Sequence, residues 1–221
     1  MCNYNFLFGL DFLLLSRFCA GTYCLQLYAM NLFEKNPWKT LNSRMVYESP
    51  WIKITRSDVI NPAGNPAEYS WVHFKNLAIG VVPLDDQKNT WLVGQYRYPI
   101  NQYSWEIPEG GGPLSNDPIE SARRELREET GIEAKKITEF MRLHLSNSAT
   151  DELSICYLAS QLSFYESQPE ESEMLQVKKI SLKEAFSWVM KGKITDAISV
   201  AAIQKLHWLD SIGELDDLIK K

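Results

Sequence analysis

Carboxylate side chains are concentrated on one short stretch of the chain, between Gly110 and Ile132. Glu125, Glu128 and Glu129 stand at positions i, i+3 and i+4, so a helix would bring them to one face. Three carboxylates at that spacing lie within reach of one or two small hard cations. The same pattern also fits a solvated helix face on which the arginines of this stretch pair with the glutamates.

Local signals predict a helix that begins after Asp117 and ends near Gly131. Asp117 favours an N-cap, Pro118 suits the first helical position, and Glu120 follows three residues after the cap, as in a capping box. Gly131 supplies the left-handed residue that often ends a helix. An apolar stripe for the core is formed by Ile119, Ala122 and Leu126.

The residues around this helix resemble the Nudix box, GX5EX7REUXEEXGU, in which U is a bulky aliphatic residue. Gly110 and residues 124–132 follow the pattern, and eight of its nine specified positions are met. The exception is Asn116, which stands where the family has glutamate. Such a frame favours the functional interpretation of the carboxylates over the solvated face.

The resemblance implies a metal site. Glu125 and Glu129 are expected to bind Mg²⁺ or Mn²⁺, with Glu128 in a supporting and catalytic role. In relatives the residue before the first box glycine offers its backbone carbonyl to a metal, and that residue here is Glu109. The implied reaction is metal-dependent hydrolysis of a pyrophosphate bond.

Asn116 affects one expected catalytic residue, Arg124. In the family the missing glutamate is mainly associated with an ion pair to the box arginine, so the orientation of Arg124 is open. Glu120 lies one turn before Arg124, and we hypothesise that it replaces the missing partner.

The segments before the box point to a subgroup. Residues 94–99 (GQYRYP) and 104–110 (SWEIPEG) resemble the ADP-ribose and nucleoside-diphosphate-sugar pyrophosphatases, in which the arginine contacts substrate. This implies substrate-binding roles for Arg97, Glu106 and Tyr98. From spacing alone, Arg97 equally fits an ordinary surface strand position and Glu106 a structural role. Stacking on a base is equally open to Tyr96, Tyr98, Tyr103 and Trp105.

Two polar loops after the box are further candidates. Relatives often take a general base from an acidic loop, and the comparable segment is 169–173, with Glu171 as first choice and Glu173 as second. The alternative is a merely polar loop. Residues 146–152 form another polar loop, in which three side chains are candidates for selecting the sugar or terminal group: Asn147, Asp151 and Glu152.

The implied function is hydrolysis of ADP-ribose or a nucleoside-diphosphate sugar to a nucleoside monophosphate and a sugar phosphate. One alternative is a Nudix-fold sensor that binds a nucleotide without hydrolysis, which Asn116 favours. Another is an enzyme similar to isopentenyl-diphosphate isomerase, for which Cys156 alone is a poor match.

Composition sets the wider frame. The 221 residues are 45% hydrophobic, which is enough to bury a full core. The formal charge of −5 and the absence of a basic cluster in the sequence argue against a nucleic-acid partner. Four cysteines without metal-type spacing indicate a reduced, cytoplasmic protein. By resemblance we expect a homodimer, with residues 51–74 as the dimer element.

The chain divides into four predicted parts. Residues 1–29 are an apolar extension, too short and interrupted for a membrane span, and Met30 is an alternative start. Residues 30–75 form an N-terminal strand region, 76–212 the Nudix domain and 213–221 a tail. We therefore expect no membrane association for the catalytic domain.

The pattern is strand-rich from Trp38 onwards, and helices are predicted at 118–130, 182–191 and 196–209. The first two strands, 51–60 and 69–74, enclose the turn 61–66. This order predicts an α/β protein, and the resemblance makes it a Nudix-type α/β/α sandwich with a mixed sheet and an N-terminal β-hairpin region.

Overall fold

The computed structural model describes residues 35–167 and 174–220. Its strands are β1 Lys39–Glu48, β2 Ile52–Ile60, β3 Pro66–Phe74, β4 Asn76–Pro83, β5 Asn89–Arg97, β6 Gln102–Glu106, β7 Glu109–Pro113, β8 Ile132–His144, β9 Leu153–Phe164 and β10 Gln176–Ser181. Its α-helices are α1 Pro118–Thr130, α2 Leu182–Met190, α3 Ala197–Ser211 and α4 Leu215–Lys220, and a 3-10 helix spans Tyr98–Ile100.

The central sheet has four strands in the order β7-β4-β9-β8. Its inner strands β4 and β9 run parallel, with Ala78 opposite Ser154, while β7 and β8 pair antiparallel to them. Both inner strands are buried along most of their length, as expected for strands covered on two faces.

Alternate side chains of these strands enter two separate cores. Ile79 and Ile155 pack in the core that contains Leu126 of α1, whereas Val82 and Leu158 pack in the core that contains residues of α2 and α3. Helices therefore cover both faces of a mixed sheet. This arrangement confirms the predicted α/β/α sandwich.

A second sheet has the order β10-β5-β6, all antiparallel. The antiparallel pairing of β5 with β6 sets Arg97 opposite Gln102 and Val93 opposite Glu106. The turn between them contains the 3-10 helix, followed by Asn101 in the left-handed conformation. This hairpin carries the two residues Arg97 and Glu106 on neighbouring strands.

The N-terminal sheet has the order β1-β2-β3, and β2 and β3 confirm the predicted hairpin strands. Within the described residues the chain forms two compact units, 35–43 with 57–69 and 44–56 with 70–220. In the first unit the Oγ atoms of Ser43 and Ser57 lie 2.9 Å apart. The second unit contains the four-stranded sheet, all the α-helices and every site residue described below.

Three features differ from the sequence expectations. Residues 39–48 of the expected strand region form β1, for which no separate bounds were predicted, and the glycine-rich segment before α1 is the strand β7. The expected tail contains α4, whose Leu215 is fully buried in the core. Over the described residues, no helix has the length and apolar character needed to cross a membrane. Cys156 is buried with a free thiol.

Candidate functional site

The glycine strand β7 lets helix α1 approach closely. A Cβ atom on Gly112 would lie 2.8 Å from Ile79 Cγ1 and 3.1 Å from Ser121 Oγ, and one on Gly110 would overlap the carboxyl group of Glu125. Glycine is therefore required at Gly110 for the Glu125 side chain to lie against the backbone. Gly110 and Glu125, two residues of the box, are therefore matched sterically.

Helix α1 forms as the sequence predicts. The Asp117 carboxylate accepts a hydrogen bond from the Ile119 amide at 3.1 Å, and Gly131, at φ +70°, donates its amide to the Arg127 carbonyl at 3.0 Å. The helix presents Glu129 to β7, where a carboxylate oxygen accepts the Glu109 amide at 3.0 Å. Both Glu125 and Glu129 are buried.

Arg124 is held without the missing box glutamate. It donates to Glu128 at 2.6 Å and to the Gly111 carbonyl at 2.9 Å, and it also pairs with Glu125. Our hypothesis that Glu120 replaces the missing partner is wrong, because Glu120 points to Arg123, at 3.6 Å. The turn before the helix holds Asn116, whose side chain accepts a hydrogen bond from Ser115.

Arg97 lies between two acidic side chains. Its guanidinium donates to Glu106 at 2.5–3.1 Å and to Glu109 at 3.0 Å. Burial alone would lower the pKa of Arg97, but the hydrogen bonds and charge of Glu106 raise it above its ordinary value. Arg97 therefore stays cationic, and it is not an ordinary surface residue.

Glu109 lies in surroundings that disfavour its ionised form. Burial, followed by the negative charges of Asp196 and Glu106, raises the pKa of Glu109 well above its ordinary value despite the nearby Arg97. Its Oε2 atom is buried and finds no hydrogen-bond partner among the described residues. A buried acceptor of this kind is costly unless a ligand completes it.

A cavity of about 730 Å³ opens beside these residues. Its wall includes Arg97, Glu106 and Glu109, together with Glu152 at the start of β9 and Asp196 at the start of α3. Four carboxylates therefore face one guanidinium across the described lining. Apolar side chains complete the wall, among them Trp51, Phe74, Leu145 and Ile198.

Sequence reasoning missed three of these lining residues. Trp51 and Phe74 were expected only in a dimer element, and nothing in the sequence marked Asp196 beyond a helix start. Asp196 caps α3 by accepting the Ser199 amide at 2.7 Å, and the Ser199 hydroxyl accepts the Ile107 amide at 2.9 Å. These contacts fix the helix terminus at the cavity.

Other expected residues lie apart from this cluster. Tyr98 is 91% exposed and is not part of the cavity lining, although Pro99 and Ile100 after it are. The candidate bases Glu171 and Glu173 lie outside the described residues, as does the extension 1–29. Their roles, like those of the metal and substrate residues, stay predictions.

The side chains around Glu109 and Glu125 decide whether a divalent cation fits this site. Within 35–167 and 174–220, no three His, Cys, Asp or Glu side chains are grouped as a metal centre, and Arg124 pairs with two of the expected ligands. The chemistry nevertheless fits a hard cation. Four carboxylates pair with two guanidinium groups, and the Glu129 carboxylate accepts the Glu109 amide. Among the described residues, a buried oxygen of Glu109 has no hydrogen-bond partner. The residues present therefore fit a divalent cation.

Comparison with known proteins assigns the class. The chain belongs to the Nudix family, because the NUDIX domain matches residues 74–200. A second family, described as the nucleoside diphosphate sugar hydrolase N-terminal domain, matches residues 38–72. These matches confirm the resemblance found at the Nudix box and the expected class of enzyme, a Nudix hydrolase.

Particular relatives cover most of the chain. It is 30% identical over 176 residues to the ADP-ribose pyrophosphatase of Bacillus subtilis (strain 168), covering 79% of this chain and 95% of that protein. It is 28% identical over 183 residues to the methanol dehydrogenase activator of Bacillus methanolicus, covering 82% and 97%. A crystal structure of an ADP compounds hydrolase shares the fold, with TM-score 0.71, 22% identity and coverage of 80% and 96%.

Proposed function

We propose that this protein hydrolyses the pyrophosphate bond of ADP-ribose or a related nucleoside-diphosphate sugar in the presence of Mg²⁺ or Mn²⁺. The observation that carries the proposal is the surplus of buried carboxylate around Glu109, on the wall of a cavity large enough for a nucleotide. The similarity of the chain to the ADP-ribose pyrophosphatase of Bacillus subtilis (strain 168) supports ADP-ribose or a related compound as the substrate class.

The reaction is substitution at phosphorus. A water oxygen bonds to one phosphorus, the bond from that phosphorus to the bridging oxygen breaks, and the bridging oxygen leaves with the other phosphate. Water loses a proton, and the products are a nucleoside monophosphate and a sugar phosphate. Repulsion between the anionic diphosphate and the carboxylates of the site must be overcome before this step.

Glu125 and Glu129 would hold the cation, with Glu128 and the Glu109 backbone carbonyl in supporting roles. When bound, a divalent cation neutralises phosphate oxygens and lowers the pKa of a bound water. The chain keeps these carboxylates in place through two local features, the Glu109 amide bonded to Glu129 and the absence of a side chain at Gly110. Both features are built on strands and a helix, and precise sites need such rigid support.

Arg97 would bind a phosphate oxygen of the substrate. Its position on the cavity wall is fixed by Glu106, which is buried and accepts from both Nε and Nη2. Glu171, or Glu173 as second choice, would accept the proton of the attacking water, a contribution of roughly 10²–10⁴-fold in rate. Comparison of Glu171→Gln with Glu173→Gln in turnover assays assigns this role.

The test is a hydrolysis panel that contains ADP-ribose, ADP-glucose, GDP-mannose, UDP-glucose, dinucleoside polyphosphates and nucleoside triphosphates. Each is assayed with Mg²⁺ and with EDTA, and the products are separated by chromatography. Metal-dependent cleavage of one diphosphate class supports the proposal and names its substrate. If every compound stays intact while ADP-ribose binds measurably by calorimetry, the protein is a nucleotide sensor and the hydrolase proposal is rejected.

We also propose a homodimer. Strand β1 exposes apolar side chains, which is unusual for a monomer surface, at Leu41, Met45, Val46 and Tyr47. Light scattering coupled to size-exclusion chromatography should give twice the chain mass of 25.4 kDa. A single-chain mass at micromolar concentration would reject the dimer.

A further inference from the structure

The polar loop 146–152 is attached to the end of strand β3. The Val72 amide donates to the Ala149 carbonyl at 2.9 Å, and the Asp151 amide donates to the Val72 carbonyl at 3.2 Å. Val72 and Thr150 form an isolated parallel bridge. These backbone hydrogen bonds hold the loop beside β3, and a side chain of the loop adds to them.

Asp151 supplies that contribution through both carboxylate oxygens. Oδ1 accepts the Phe74 amide at 2.9 Å, and Oδ2 lies 2.5 Å from His73 Nδ1. Burial alone would raise the pKa of Asp151, but the hydrogen bond with His73 lowers it. His73 and Asp151 thus join two segments that are distant in sequence.

Each member of this pair precedes a residue of the cavity wall. Phe74 follows His73, and Glu152 follows Asp151. The other bonds at Glu152 are long, with its amide 3.4 Å from Thr150 Oγ1 and its carbonyl 3.4 Å from the Leu145 amide. The backbone of Glu152 thus makes two long hydrogen bonds, and the shorter contacts of this segment are those of the neighbouring Asp151.

We propose that the His73–Asp151 pair is a positioning device that holds Glu152 and Phe74 on the cavity wall and so sets affinity for the sugar of the substrate. Glu152 is the group that accepts hydrogen bonds from sugar hydroxyls, and His73 acts only through Asp151. The inference rests on the proposed function, because the sugar belongs to the nucleoside-diphosphate sugar named there.

The test separates the His73 hydrogen bond from the His73 ring. His73→Phe keeps a ring and loses the donor, whereas His73→Asn places an amide donor near the position of Nδ1. With ADP-ribose, His73→Phe should raise KM about tenfold and leave kcat within about twofold, which corresponds to the loss of one charge-assisted hydrogen bond. His73→Asn should stay within about threefold of the wild-type KM. An unchanged KM in His73→Phe, or an equal rise in His73→Asn, overturns the proposal.

A double-mutant cycle with Glu152→Gln tests whether the pair acts through Glu152. If it does, His73→Phe in the Glu152→Gln background should raise KM by less than about twofold further. Multiplicative effects of the two changes would contradict the proposal. The control is Arg142→Ala, which removes an exposed ion pair to Glu139 on β8 and should leave KM unchanged.

Two further measurements keep the outcome decisive. If His73→Phe does not fold, Asp151→Asn replaces it, since an asparagine still accepts the Phe74 amide but lacks the charge, and its KM should rise severalfold. If wild-type protein hydrolyses no compound of the panel, the proposed function fails, and calorimetric Kd for ADP-ribose replaces KM. An equal Kd in wild type and His73→Phe then overturns the positioning role by itself.

Discussion

Asp85 and Glu109 are two partly buried carboxylates with opposite surroundings. Asp85 lies in the turn between β4 and β5 and accepts the amides of Gln87 at 2.9 Å and Asn89 at 2.8 Å. Its second oxygen lies 2.8 Å from Lys179 Nζ. Burial alone would raise the pKa of Asp85, but the hydrogen bonds from Lys179 and Asn89 lower it to about 2.

Glu109 has the reverse balance, because acidic neighbours add to the effect of burial and one of its oxygens has no partner in the part of the chain that the structure describes. A carboxylate that supports the fold is neutralised by the chain itself. At the candidate site the chain leaves negative charge for a ligand to neutralise, at a cost in stability. Substitutions at either carboxylate or beside it alter one of the two environments at a time.

Glu129→Gln should produce the largest effect, a fall in kcat for ADP-ribose with Mg²⁺ of about 10²-fold or more. Its melting temperature should change little, because the amide still accepts the Glu109 N–H. Glu120→Gln on the same helix, 69% exposed at its side chain, is the matched control and should keep full activity. Parallel losses of activity and stability would place Glu129 with Asp85, as a structural acid.

Gly110→Ala should rank second. The new methyl group would overlap the Glu125 carboxyl and displace it, so kcat/KM should fall by roughly tenfold to a hundredfold. At Gly111 a methyl group would meet only the flexible Asn76 amide, at 3.2 Å, and the loss should be much smaller. Steady-state kinetics of both variants check this, and equal losses would show that Gly110 is not specific to Glu125.

Asp85→Asn should change stability and leave turnover unaffected. The pKa difference between 3.8 and about 2 corresponds to roughly 2 kcal/mol at pH 7, or a melting temperature several degrees lower. Because the folded-state pKa is depressed, this stabilisation is present above pH 4 and is lost as pH falls towards 2. Thermal melts at pH 7 and pH 3 should therefore show a shrinking difference, and a constant difference would refute the assignment.

Glu109→Gln should have the smallest effect, and it should raise the melting temperature at pH 8, where Asp85→Asn should lower it at pH 7. Because burial raises the pKa of Glu109, the folded wild type loses stability as pH rises above about 4.5. The neutral amide lacks this dependence, so in EDTA the variant should melt higher than wild type at pH 8, by a few degrees at most, and not at pH 5. A variant that is less stable at pH 8 would contradict a surplus charge at Glu109.

Much of the helix and sheet pattern could be predicted from the sequence because it depends on local residues. Asp117 and Gly131 mark the ends of α1, and the apolar runs of β4 and β9 follow from burial on both faces. Strand β7 could not be predicted, because three consecutive glycines have low strand propensity. The structure explains these glycines by the close approach of α1. Helix α4 is short and becomes stable only when Leu215 is buried.

The residues of the candidate site likewise divide into those with a local sequence signal and those that long-range packing brings together. Glu125, Glu128 and Glu129 could be predicted because their spacing lies within one helix and the residues around them follow the Nudix box. Glu106 beside Arg97 could be expected from an adjacent strand, but Asp196 and Phe74 reach the cavity only through long-range packing, for which the sequence has no periodic signal. Glu120 was misassigned because one helical turn permits pairing with either Arg123 or Arg124, and side-chain direction decides between them.

The parallel pairing of β4 with β9 has a consequence for how the chain folds during synthesis. These strands meet only after β7, α1 and β8 have been made between them, and Ile198 of α3 then covers Gly80 of β4. Until that point β4 exposes an apolar edge, so a nascent chain that ends before α3 is the species most exposed to aggregation or chaperone capture. The cavity, whose lining runs from Trp51 to Ile198, is therefore completed late in synthesis, and activity should be absent from chains that end before α3.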